Sequence, residues 1–76
     1  MFDYSKLRGR IKEIFGTQDA FADAVGIGRV SMSKRLNNTL EFTQDEMKKS
    51  AAVLKFSPEE IPVYFLPGKF RKLNFS

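Results

Sequence analysis

Apolar residues recur along most of this chain at intervals of three and four, the signature of helices that bury one face. Leu7, Ile11, Ile14 and Phe15 set a first helix near residues 5–15, with Asp3 and Ser5 as caps and Gly16 behind it. Its other face carries Lys6, Arg8, Arg10 and Lys12, a solvated cationic face in the plainer reading and a phosphate contact in the sharper one. Thr17 caps a second helix with Asp19 in its first turn, where negative charge is favoured, and Phe21, Ala22 and Val25 form its buried stripe.

Two glycines one residue apart, Gly26 and Gly28, then interrupt what would otherwise be one amphipathic helix. Gly26 follows the last apolar residue, where a left-handed backbone suits glycine, so the helix stops there. A third helix runs from about Gly28 to Asn37, and so short a link makes the pair a helix-turn-helix that crosses steeply. Met32 and Leu36 face the core; Arg29, Val30, Ser33, Lys34 and Asn37 make a separate outer stripe.

Phe42 and Thr43 open a fourth helix, with Asp45 and Glu46 in its first turn and Met47, Ala51 and Leu54 inside. Ser57-Pro58-Glu59-Glu60 starts a short fifth one ending near Tyr64, and Pro62 distorts or shortens it. Leu66-Pro67-Gly68 closes the unit. The chain therefore reads as all-α, with a five-helix domain over residues 1–66 and a tail over 67–76 whose Phe70, Leu73 and Phe75 are too apolar for an idle end.

Seventy-six residues leave no room for a second domain. A chain this short buries only about 60% of its unfolded surface, which favours a small binding module over an enzyme with a lined cleft. The absence of cysteine and histidine removes disulfides, thiolate nucleophiles, imidazole bases and nearly all transition-metal sites. Neither a metal nor a cofactor is expected. The adjacent acids Asp45-Glu46 and Glu59-Glu60 are explained by helix starts, and Gly26-x-Gly28 has no preceding strand to make it a nucleotide-binding loop. Without a leader or long apolar run, the chain is expected to be soluble and cytoplasmic, with no membrane partner.

Thirteen lysines and arginines against nine acids give a net charge of +4, which suits a polyanion without requiring one. Residues 43–66 carry three basic and four acidic side chains, so the excess lies elsewhere, including Lys69, Arg71 and Lys72 in the tail.

Residues 17–38 resemble the helix-turn-helix of the lambda-type phage repressor and Cro superfamily. Gln18 matches the opening glutamine, Phe21 and Val25 the buried places, Ala22 the small residue at the helix crossing, Gly26 the turn, and Ile27 and Met32 the following core. Arg35 stands where many members have an apolar residue, and Leu36 supplies it one place later. The FDYSKLRG start and the FTQDE and SPEEI stretches also resemble small phage and prophage regulators of Gram-positive bacteria.

The resemblance implies a lambda-repressor-like domain that regulates transcription by binding a double-stranded DNA operator. Its reading helix would lie in the major groove, where all four base pairs differ. Arg29, Val30, Ser33 and Lys34 match the base-reading positions. Thr17 and Gln18 stand at a helix N-terminus, whose free N–H groups favour a phosphate, and Asn37, Asn38 and Thr39 are expected as further phosphate contacts. Plainer readings stand beside these: Thr17 as a cap, Asn38 as a turn residue, Arg35 as a solvated charge. A homodimer through the tail would double the reading surface; the alternative is a tail folded back on its own core. The rival function is a protein-binding modulator of another phage regulator that uses the same fold. Single-stranded binding is set aside because the aromatics sit at core spacings.

Overall fold

The chain folds into five α-helices, α1 (Ser5–Phe15), α2 (Gln18–Val25), α3 (Arg29–Leu36), α4 (Gln44–Leu54) and α5 (Ile61–Phe65), in a computed structural model that describes residues 2–65. No strand occurs among the described residues. The tail of residues 67–76, expected to dimerise or to fold back, lies outside them.

Side-chain oxygens set the helix starts. The Thr17 hydroxyl accepts the Ala20 N–H at 3.1 Å. Thr43 and Glu46 cap reciprocally: the Thr43 hydroxyl accepts the Glu46 N–H at 3.1 Å, and the Glu46 carboxylate accepts the Thr43 N–H at 2.9 Å. Ser57 and Glu60 begin the last segment, where the Glu60 carboxylate takes the Ser57 N–H at 3.0 Å. That segment is split into a 3-10 turn, Pro58–Glu60, followed by α5. Pro62 has no N–H to donate back along the chain, so the tighter turn replaces a regular first turn. Only the first cap differs from expectation: Tyr4 occupies the position, and Asp3 supplies the acceptor for the Ser5 N–H and hydroxyl.

α1 packs on α2, α4 and α5, and α2 packs on α3 and α4. Leu7, Phe21, Met32, Leu54 and Phe65 are wholly removed from solvent at the centre. Ala22 is equally buried, as the helix crossing requires of a small residue. Phe42 meets Tyr4 and Phe65 edge to face, with centroids 5.5 and 5.0 Å apart, a geometry that places ring edges on ring faces.

Two arginines of α1 do more than face solvent. Arg8 donates to the Leu36 carbonyl at 3.0 Å and Arg10 to the Leu54 carbonyl at 2.9 Å, so each neutralises carbonyls left unpaired at the end of a neighbouring helix. Arg35 is likewise not a solvated charge. It sits between α3 and α4, where its guanidinium bonds Glu46 and the Ser31 hydroxyl. That arrangement lets a cation occupy the place where the superfamily pattern has an apolar side chain, while Leu36 fills the core.

Candidate functional site on the α3 face

Gly26 adopts the left-handed conformation at φ 84°, its N–H donates to the Ala22 carbonyl at 2.9 Å, and the Ile27 N–H reaches the same carbonyl at 3.0 Å. This closes α2 and turns the chain in three residues, so that α3 begins at Arg29 with its outer side uncovered. The helix-turn-helix expected from the two glycines is thus formed by α2, residues 26–28 and α3.

Met32 and Leu36 point inward, while Arg29, Val30 and Lys34 are exposed and Ser33 is half-buried. Val30 is 71% exposed and Leu40 42%, the two large apolar side chains most open to water among the described residues. They line one shallow recess with Gly28, Arg29, Ser31 and Lys34. Turning the chain after α3 is what delivers Leu40 to this recess: the Thr39 and Leu40 N–H groups both donate to the Lys34 carbonyl, at 2.8 and 3.2 Å.

Arg29 does not stand alone. Its Nη2 lies 2.8 Å from Asp23 Oδ2, its Nε 3.3 Å from Asp23 Oδ1, and its Nη1 3.7 Å from Asp19. The two carboxylates lie one turn apart on α2, and all three side chains remain more than half exposed. The guanidinium beside Asp23 holds that carboxyl below its usual range, and Asp23, then Asp19, push Arg29 further up. The first residue of α3 is therefore already engaged by anions.

Of the remaining expected contact residues, Thr17, Gln18 and Asn37 gather about Arg8, while Asn38 and Thr39 lie in the turn after α3. Thr17 and Gln18 line a second recess with Arg8, Ile11, Lys12 and Leu36, which shares no residue with the Val30–Leu40 recess. Asn37 accepts from Arg8 at 3.0 Å. Asn38 is a turn residue at φ 65°, and both ends of its amide are tied to the backbone of Phe2, each at 2.9 Å. Thr39 is exposed. The outer stripe was legible from helical spacing; Leu40 and the two aspartates were not read as part of it. The i, i+4 spacing of Asp19 and Asp23 was a usable signal, since it puts both on one face of α2.

No helix among the described residues is long and apolar enough to cross a membrane. No curated protein matches the chain. Among solved structures, the chain is similar to the modulator of repression (MOR) of the temperate bacteriophage TP901-1 from Lactococcus lactis, determined in solution. The two are 42% identical over 84% of this chain and 86% of that one, with a TM-score of 0.75. Residues 1–68 match the family model described as a protein of unknown function, DUF739. This helix-turn-helix chain, with its carboxylate-paired Arg29 and open Val30–Leu40 recess, belongs to the DUF739 family.

Proposed function

We propose that this chain is a non-enzymatic phage regulator that modulates repression by binding another protein, a phage repressor, through its α3 face. The carrying observation is the engagement of Arg29 by Asp19 and Asp23 beside the exposed Val30 and Leu40. A surface that mixes apolar side chains with paired charges of both signs suits a protein partner better than a uniform row of phosphates. Likeness to a protein named as a modulator of repression supports the same reading.

In this reading the partner places an apolar side chain between Val30 and Leu40 and a carboxylate opposite Lys34. Mixing the purified chain with the repressor of the same phage, followed by sedimentation, tests it: the account expects a complex that Val30→Asp abolishes. Two independently sedimenting species would refute it.

One observation favours a second reading, direct recognition of an operator in the manner of the lambda-type superfamily. Val30, Ser33 and Lys34 lie on the outer side of a helix-turn-helix, with Arg29 at its start. Here Arg29 or Lys34 would donate to guanine, Val30 would touch a thymine methyl, and Thr17, Gln18, Asn37 and Thr39 would meet phosphates. This reading expects affinity for operator DNA that falls steeply with salt and is lost on Lys34→Ala. Dimerisation through residues 67–76 is a proposal common to both readings, tested by the mass of a chain that lacks them.

A further inference from the structure

We infer that Asp19 and Asp23 are specificity determinants that keep this helix-turn-helix off duplex DNA and reserve its α3 face for protein. The inference rests on the protein-binding reading and names the residues that enforce it.

An exposed ion pair is worth less than a good bidentate contact with guanine. Pairing alone therefore does not stop Arg29 from turning to a base. What remains when it turns away does. Asp19 and Asp23 are then two uncompensated carboxylates, each more than half exposed, beside the helix end that must approach the phosphates. Like charges brought together at a contact repel even through water, and this offsets what Arg29 gains. With the guanidinium held at 2.8 Å from Asp23, the cluster keeps one net negative charge, which a protein partner can match and a polyanion repels.

The test is fluorescence anisotropy of a labelled duplex of arbitrary sequence at low salt, using the full chain. The Asp19→Asn, Asp23→Asn double variant is expected to bind about tenfold more tightly than the parent. A control of equal net charge, Asp45→Asn with Glu59→Gln, removes two carboxylates from α4 and the 3-10 turn and is expected to gain less than about threefold. Adding Arg29→Ala to the first variant is expected to return it to the parent level. All four positions are exposed, and thermal melts verify that the variants fold.

An equal gain in the control reduces the effect to net charge and overturns the inference. So does no gain in the Asp19, Asp23 variant, or a gain that survives loss of Arg29. Repressor binding, measured on the same samples by sedimentation, reports separately on the proposed function: its absence refutes that reading whether or not the DNA gain appears.

Discussion

Arg35 forks onto Glu46, with Nε 3.0 Å from one carboxylate oxygen and Nη2 3.1 Å from the other, and so bolts the last turn of α3 to the first turn of α4. Both side chains are more than four-fifths buried, and the Glu46 carboxylate also caps Thr43. Removing Glu46 leaves a guanidinium that has lost its counter-charge and a Thr43 N–H that has lost its acceptor. Glu46→Ala is therefore expected to cost about 2–4 kcal/mol in urea unfolding. Arg35→Met keeps the cap and some of the volume and is expected to cost less. A double-mutant cycle that returns no coupling between the two would show that the fork contributes nothing.

The same carboxylate makes stability depend on pH. Burial pushes the Glu46 carboxyl up, but the Thr43 N–H and the Arg35 guanidinium outweigh it and hold it below its ordinary value of 4.5. A group depressed in the folded state binds protons more readily when unfolded, so its contribution is complete above that value and lost as pH falls through the folded pKa. Thermal midpoints are expected to drop on acidification below pH 4.5, and Glu46→Gln is expected to flatten the drop. Identical profiles for the two proteins would locate the acid sensitivity elsewhere.

Asn38 holds the start of the chain to the turn after α3, and it does so in a left-handed conformation at φ 65°. Asn38→Ala loses both bonds to Phe2 and carries a side chain that strains that backbone, an expected loss of about 2–3 kcal/mol. Asn38→Gly removes the same bonds without the strain and is expected to lose about half as much. Equal losses in chemical unfolding would show that backbone strain plays no part.

Lys55 is the other left-handed non-glycine residue among those described, at φ 61°, and it closes α4 with the Phe56 N–H on the Ala51 carbonyl. Its side chain is exposed, and Arg10 holds its carbonyl through backbone that any residue supplies. Lys55→Gly is thus expected to stabilise the protein by about 0.5–1 kcal/mol. A lower unfolding midpoint would contradict that.

Much of the fold could be read from sequence because its signals are local. Thr17, Thr43 with Glu46, Ser57 with Glu60, and Gly26 each act within a few residues, and the helices end where those residues say. The lone shift at Tyr4 arises because Asp3 reaches Ser5 from one residue further out. What was not legible depends on packing between distant segments. Asn38 finds Phe2 across 36 positions, and Arg10 finds Leu54 across 44. Spacing could place Arg29 on an outer stripe; it could not say that the crossing of α2 and α3 brings Asp19 and Asp23 onto it. In the proposed function, that juxtaposition is what favours a protein partner over DNA.

Chemical-shift mapping of the isotopically labelled chain tests the central claim most directly, with unlabelled repressor added in one titration and operator duplex in another. The account predicts that repressor perturbs the amides of Val30, Lys34 and Leu40 strongly while duplex leaves them almost unmoved. Perturbation of these residues by duplex, with none from repressor, would contradict it.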